Sequence, residues 1–559
     1  MRLTFLLTLL TLGLVAHAAD KPLNLTPGAA IRVNSIGFLP TSTKQATALA
    51  TAKTFRVLRI DSTGEQEVFS ATASAPLQTA TTDTRETLRT LDFSAVTEPG
   101  RYLIEVPDLG RSAPFTIGND LWNVPFTTVT RAMYLWRCGT EVTGTHNGVT
   151  YHQHACHLAD GWLDHVGGGH TRRASTGGWH DAGDYNKYVV NAGVTVGLML
   201  KALEHFPNRI SALNLGIPES ANTTPDLLDE IRWELEWLFT MQLEDGRVYH
   251  KLSSPDFRFW GPAANDKDPR YLAPWGTNAT AHFTAMMAAA ARHFRAHDAA
   301  FADRCLKAAE LSWACLLKHP QQIDPDQSAF QTGGYGAPDH SARLWAAAEL
   351  WETTGDAAVL REFEIRASKV AFSENGPGWG DVNDLGLATY LRSGHTTKES
   401  DPRNPALVRR LTDDLIAHAD RAVTTAASNS HSRPLGVERQ DWSWGCNGNV
   451  AGQTLQLHLA DRLHPDPRYR ETALLALGHL FGRNYHGRSY VTGLGANPPQ
   501  HPHDRRGEPA WPGYLVGGAW PDGRSWVDEL GSYERNEIAI NWNAALIYAL
   551  AAFVEPAAK

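Results

Sequence analysis

The sequence predicts a small all-β sandwich followed by a large all-helical domain, and three observations carry that prediction. At 559 residues the chain exceeds what one ordinary hydrophobic core encloses, so at least two domains are expected. Residues 28–117 are rich in Thr, Ser and β-branched residues and lack helix-length periodicity. From about residue 120 the texture changes to apolar positions at helical spacing, with Gly-, Pro- and Trp-containing loops between them. A hydrophobic content of 42% with 20% charged residues fits a soluble globular protein. The net charge of −9, without a basic block, argues against nucleic acid and anionic membranes as partners.

Taken in order, residues 1–18 read as a signal peptide. Arg2 is the charged start, Leu3 to Val15 the apolar run, and Ala16-His17-Ala18 a small-x-small cleavage site. A secreted or periplasmic location is therefore expected, with no membrane contact after cleavage. Within 28–117, "TFRVLRI" and "RYLIEV" read as strands and "STGE" as a turn, as in a sandwich of about 90 residues. In "TPDLLDEIRWELEWLFTMQ", Thr224 is the expected N-cap and Pro225 the first helical residue. Leu228, Ile231, Leu235 and Leu238 then make one apolar face. "NATAHFTAMMAAAAR", "SARLWAAAELWETTGD" and "NEIAINWNAALIYALAAF" predict further helices. The long connections 371–404 and 485–535 are expected to be working loops.

Three clusters could carry chemistry. "GGWHDAGDYNKYV" places Asp181 and Asp184 three apart in a glycine-flanked turn. Two carboxylates there repel, so one proton affinity rises unless donors compensate, and the pair can hold a water between its oxygens. A plain Asx-turn leading into a helix cap is the alternative. "SWVDELGSYERNEIAINWNAALIYA" sets Asp528, Tyr533 and Glu537 before an apolar helix, with Asn536, Asn541 and Asn543 as amide partners. An acid entering an apolar, aromatic environment becomes a proton donor; a carboxylate attracted to a helix N-terminus is the alternative. "SYVTGLGANPPQHPHDRR" offers His503 and Arg505 as donors to hydroxyls or anions, or as a solvated basic loop.

Together these stretches resemble glycoside hydrolase family nine, the inverting cellulase family, in the branch with an N-terminal immunoglobulin-like domain. One signature matches from Ser489 through Gly495 and Asn497 to Pro502, His503 and Arg505. A second matches at Trp526, Asp528, Tyr533, Glu537, Ala539, Asn543 and Ala544, and "GGWHDAGDYNKYV" matches the turn that activates water. The resemblance extends over nearly the whole mature chain. It implies an immunoglobulin-like domain at 28–117 and an (α/α)6-barrel catalytic domain at 120–556. It also implies a monomer that hydrolyses β-1,4-glucosidic bonds in cellulose-like glucans or cello-oligosaccharides with inversion, most simply as an endoglucanase. The implied roles are Asp184 as general base, Asp181 assisting the same water, and Glu537 as general acid, across a gap of roughly 6.5–9.5 Å. His503 and Arg505, with Tyr533, would bind sugar hydroxyls. Trp379, Trp444 and Trp542 are expected to line the substrate path, whereas Trp233 and Trp237 ride helices and belong to the core.

The chain has five cysteines, and an odd number excludes complete internal pairing. Cys305 and Cys315 sit in a helical segment as buried thiols. Cys138, Cys156, His157 and His180 suit either a tetrahedral zinc or, for the two cysteines alone, a disulfide. The family resemblance implies zinc, bracing the loop whose next residue is Asp181, with His152 and His154 as bystanders. Where the family often carries an Asp-Glu calcium pair, Ser341 and Ala342 stand here, so that site is expected to be lost, although calcium elsewhere stays open. Asp504, where the family often has histidine, would pair with Arg505 or Arg506 or else favour a cationic sugar. Two alternatives to the endoglucanase remain. One is an exo-acting β-glucosidase, cellobiosidase or exo-glucosaminidase; the other is a non-hydrolytic carbohydrate-binding protein.

Overall fold

The computed structural model describes residues 27–396 and 400–556; the signal-peptide reading lies outside the described residues. Alternating burial explains the first domain. In the strand Gly100–Val106, Tyr102, Ile104 and Val106 point inward, and in Thr54–Asp61 Phe55 and Val57 do so. Opposite Val57 and Leu58 the register shifts, leaving Val68 of the strand Gly64–Thr72 as the extra residue of a β-bulge. The first sheet contains β1 (Ile31–Arg32), the second β2 (Gly37–Phe38), and the first again β3 (Gln45–Leu49). The chain continues through β4 (Thr54–Asp61), β5 (Gly64–Thr72), β6 (Leu77–Gln78), β7 (Thr87–Asp92), β8 (Gly100–Val106), β9 (Gly110–Arg111) and β10 (Phe115–Ile117). The sheet orders are β1-β3-β7-β6 and β2-β10-β8-β4-β5, with β9 on β8. Phe38, Phe93 and Phe115 interlock between them.

Among the described residues twelve principal helices follow: α1 (Asn123–Leu135), α2 (Val189–His205), α3 (Asp226–Met241), α4 (Thr277–Phe294), α5 (Ala299–Lys318) and α6 (His340–Thr354), then α7 (Ala357–Ala367), α8 (Asn383–Leu391), α9 (Pro405–Ser428), α10 (Cys446–Gly452 continuing as Thr454–Leu463), α11 (Pro467–Leu480) and α12 (Ile540–Ala551). Burial sorts them into two rings. Among the even-numbered helices, α4 is buried except at Arg292 and His293, and α12 except at Trp542. A helix apolar or small on every side must sit inside. The odd-numbered helices bury one stripe: α9 buries Leu407, Leu411, Leu415, His418, Ala419, Ala422 and Ala426, spaced three to four apart. The inner ring closes where α12 packs on α2, and Gln456 of α10 donates to Asp384 of α8 (2.8 Å). This double ring is the (α/α)6 arrangement. Among the described residues no helix is long and apolar enough to cross a membrane.

Two local expectations are corrected. Pro225 is the N-cap of α3 and Thr224 lies outside it, its amide turned back to the Asn222 side chain (2.7 Å). The fixed proline φ is met there with an extended ψ of 130°, so the helix starts one residue later. The connection 371–404 also contains α8, whose buried Leu385, Leu387 and Ala388 belong to the inner ring. Nine residues, all buried, are too few to show a helical period, which is why the sequence pattern misses them.

The sandwich docks on the loops that follow α9 and α11. Buried Arg32 reaches Glu86 and His431 (2.8 Å each) and lies over the Tyr485 ring. Ser35 donates to the Phe481 carbonyl and accepts from the Ala496 amide (2.8 Å each). These contacts anchor the segment that runs on to His503.

Candidate active site

Residues 177–189 leave the outer ring, turn, and enter α2. Gly178 takes φ +72°, and a Cβ there would strike Glu234 and Trp237. Below the turn, Glu234 accepts from the Trp179 amide (2.6 Å), Glu230 accepts from the Trp179 indole (2.7 Å), and Arg137 ties Glu230 to Glu219. The Lys187 ammonium donates to the Ser175 and Gly177 carbonyls. The two aspartates stand on this base in unequal surroundings. Both Asp181 oxygens are engaged, Oδ1 by Asn191 Nδ2 (2.7 Å) and Oδ2 by the Tyr335 hydroxyl (2.6 Å). Asp184 Oδ2 accepts from Asn186 (2.7 Å) and the Tyr188 hydroxyl (3.0 Å), while its Oδ1 accepts no protein hydrogen bond among the described residues. Burial first, and then the charge of Asp184, push the Asp181 carboxyl up to about 8, against the opposing pull of its two donors.

Glu537 approaches from the far end of the chain. It ends the short helix Tyr533–Asn536 with extended backbone (φ −68°, ψ 152°), three residues before α12. It is not part of that helix's first turn, so attraction to the helix N-terminus does not explain it. Its carbonyl accepts from the Gly517 amide (2.9 Å), and the neighbouring Asn536 carbonyl accepts from the His503 amide (2.8 Å). His503 and Glu537 thus run side by side as a parallel bridge. Burial, followed by Asp184 and Asp181, holds the Glu537 carboxyl well above the usual carboxylate range, with Arg505 and Trp444 pulling the other way.

Asp181, Asp184 and Glu537 line one cavity of about 870 Å³, and so do His503, Arg505, Tyr533, Trp379, Trp444 and Trp542. Trp379, Trp444 and Tyr533 remain 39%, 47% and 47% exposed, leaving faces free for a ligand. Trp444 packs against Tyr533 and Trp379 against Tyr335. Trp542 is wedged beside Gly445 and Gly448, where any Cβ would meet its ring, so it forms floor more than platform. His503 Nδ1 is 2.7 Å from the Leu530 carbonyl, to which it donates, leaving Nε2 as an acceptor. Arg505 donates to the Phe259 carbonyl (3.1 Å) and lies over Phe257 and Trp260. Trp237 is buried, as expected of a core residue, and Trp233 packs partly buried under Arg137.

The resemblance of the chain to family nine is borne out by comparison with known proteins. The Glycosyl hydrolase family 9 profile matches residues 123–550, and that of the cellulase N-terminal ig-like domain matches residues 26–111. This chain belongs to glycosyl hydrolase family 9. Endoglucanase D of Acetivibrio thermocellus is 48% identical over 534 residues, covering 94% of this chain and 83% of the relative. A xyloglucan-specific endo-β-1,4-glucanase of Bacteroides ovatus is 34% identical over 569 residues, 95% of each chain. The crystal structure of a zinc-binding triple mutant of a family 9 endoglucanase superposes with a TM-score of 0.84 at 30% identity, covering 93% of this chain and 100% of the other.

Beside the aspartate turn of this family 9 chain lies a buried sulfur and nitrogen cluster. The ligand atoms of Cys138, Cys156, His157 and His180 lie within 4.8 Å of one another, and all five cysteines are free thiols. Cys138 Sγ is 3.8 Å from His157 Nδ1, and Cys156 Sγ is 3.6 Å from His180 Nε2. Ligands about 2.0–2.3 Å from a tetrahedral ion stand roughly 3.6 Å apart, so the donor set and its spacing fit a metal of the zinc class. His157 Nε2 meets Asp266 (3.2 Å), a partner that orients the ring. At the expected lost calcium pair, Ser341 and Ala342 are buried in α6, and the adjacent Arg343 pairs with Asp339 (2.7 Å) and donates to the Leu316 and His319 carbonyls. Asp504 pairs with Arg506, both buried (2.6 Å), and Arg506 reaches Tyr514. It does not line the cavity.

Several site residues escape the sequence reading. Tyr188, Asn186 and Asn191 fix the two aspartates, although the first two stand inside the quoted motif. Tyr335 comes from "GGYG" with φ +43°, a strained conformation for a tyrosine. A glycine run around one aromatic, between helices, was the available signal. Phe257 and Trp260, 45% and 46% exposed, come from "DFRFW", whose three aromatics on a loop were a comparable sign.

Proposed function

We propose that this family 9 chain is an exported endo-β-1,4-glucanase that cleaves cellulose-like glucans with inversion of the anomeric centre. The observation that carries it is the cavity with three carboxyl groups, in which Asp184, unlike Asp181, keeps one oxygen without a protein hydrogen bond among the described residues, while Glu537 is held protonated by burial and the two aspartates. In this reading Asp184 takes a proton from water as the water oxygen bonds to the anomeric carbon, while Asp181, held in place by Asn191 and Tyr335, uses a remaining lone pair to orient the same water. Glu537 delivers its proton to the leaving glycosidic oxygen, and both carboxyls reset by exchange with solvent. His503 Nε2 and Arg505 hold sugar hydroxyls, Trp379, Trp444 and Tyr533 offer ring faces, and Trp542 closes the floor. The endoglucanase names of the relatives support the glucan substrate.

Cys138, Cys156, His157 and His180 would hold a structural zinc, which supplies no step of the reaction. Its role is to fix His180, the residue before Asp181, much as a cross-link would. The leader at residues 1–18 supports export. Proton NMR of cellotetraose hydrolysis tests the chemistry, with the α-anomer expected as first product. The endo mode predicts a fall in carboxymethylcellulose viscosity ahead of reducing-sugar release. A β-anomer first, or cellobiose or glucose alone from long chains, overturns the corresponding half of the proposal.

A further inference from the structure

The antiparallel hairpin of β11 (Val142–His146) and β12 (Val149–Gln153) has two faces with different chemistry. Strand alternation turns Val142, Tyr151 and Gln153 inward, and the Gln153 amide reaches Cys156 Sγ (3.7 Å) in the buried cluster. The same alternation turns His152 and His154 outward. Thr143 pairs with His152 and Val142 with Gln153, so the next position outward sets Glu141 against His154 on that outer face. The ligand atoms of Glu141, His152 and His154 lie within 4.8 Å of one another, all three residues are exposed, and none lines the cleft. Glu141 Oε1 is 2.6 Å from His152 Nε2, and the two imidazoles meet edge to face at 4.5 Å.

We propose that Glu141, His152 and His154 form a second, solvent-open site for a divalent transition metal ion such as Zn²⁺. Two imidazoles and one carboxylate are a borderline-soft set that suits zinc or copper and disfavours calcium and magnesium, which want several oxygens. Three protein ligands on a surface leave the remaining coordination positions to water. The two residues that separate His154 from His157 place this open set one strand end away from the buried cluster, so one hairpin carries ligand sets on its two faces. The surface set contains no thiolate, which makes the two separable by spectroscopy and by mutation.

The test is metal content of the full-length protein after equilibration with micromolar free Zn²⁺, alongside Co²⁺ titration, in which only thiolate ligands give a sulfur-to-cobalt charge-transfer band. Wild type is expected to take up one ion more than the double variant His152→Ala/His154→Ala, with that ion adding no thiolate band. Glu141→Gln is expected to weaken it about tenfold or more. Hydrolysis and melting temperature in metal-free buffer should be unchanged in both variants, which separates loss of the site from misfolding. Equal uptake by wild type and the double variant overturns the proposal. Should the buried cluster prove empty, wild type would still hold one ion without a thiolate band, lost in the double variant.

Discussion

The two walls of the cleft are built by opposite means. The aspartate wall is over-determined: its turn is tied by Glu234, Glu230 and Lys187 from below, by the cysteine–histidine cluster from behind, and by a hydroxyl and an amide on each carboxylate. The Glu537 wall is a short helix, an extended residue and a bridge to His503, with half-exposed Trp444 and Tyr533 beside it. Here the carboxyl is tuned by lost water and by two facing negative charges, more than by donors. A base must hold one water in one direction, which hydrogen bonds secure. An acid must keep its proton, which desolvation secures.

The largest expected effect breaks both walls. Asp184→Asn and Glu537→Gln should each lower kcat on cellulose chains by about 10³-fold or more, as loss of a general base or acid does. The contrast sharpens with an activated aryl cellobioside, whose leaving group needs no proton. Glu537→Gln should recover most activity on it and Asp184→Asn should not. Equal rescue of both would remove the assignment of roles.

Much of this site is legible in the sequence because its chemistry is local in the chain. Asp181, Asp184, His180 and Tyr188 lie within nine residues, and Glu537 and Tyr533 within five. What sequence hides is which distant residue completes each local group. Tyr335 is 154 positions from the aspartate it bonds, Asn191 sits on an apolar-looking helix, and Arg343 fills a position whose neighbours alone were informative. The fold divides the same way. Long helices are legible in both rings, the inner α4, α6 and α12 included, whereas α8, only nine residues long and buried all round, is too short to show a period.

Removing a ligand of the proposed zinc should act chiefly on the aspartate wall. Cys156→Ser is expected to lower Tm by roughly 5 °C or more, since a lost structural metal costs several kcal/mol. Activity should fall through a misplaced Asp181, while the alkaline limb of the pH profile, set by Glu537, should move little because burial is the larger cause of its raised proton affinity. Calorimetry and pH–rate curves on wild type and variant check both. Tyr335→Phe comes next. With Asp181 largely protonated near neutral pH, this hydrogen bond is worth about 0.5–1.5 kcal/mol, so kcat should drop by about twofold to tenfold with KM little changed. A rise in KM alone would make Tyr335 a sugar contact and not a positioning residue.

Glu537→Gln should also stabilise the protein. The folded state holds the proton that the unfolded chain releases above the ordinary glutamate pKa, so wild-type stability declines as pH rises from there toward the raised folded value. The amide removes that penalty. Its gain in Tm should be small in acid and grow toward neutral pH, a trade of stability for function. A Tm difference independent of pH would contradict a raised Glu537.

The smallest effects separate the tryptophans, one on each wall. Either Trp379→Ala or Trp444→Ala should raise KM by about threefold to tenfold, the worth of one ring face at about 0.5–1.5 kcal/mol. They should differ in what else moves. Trp379 backs Tyr335, which bonds Asp181, so its loss should also lower kcat. The Trp444 side chain draws the proton affinity of Glu537 down. Its loss should carry the alkaline limb of kcat upward, because activity requires Glu537 protonated and that proton would then be held to higher pH. If the limb moved with Trp379 and not with Trp444, the division of labour between the walls would be the reverse of the one the geometry describes.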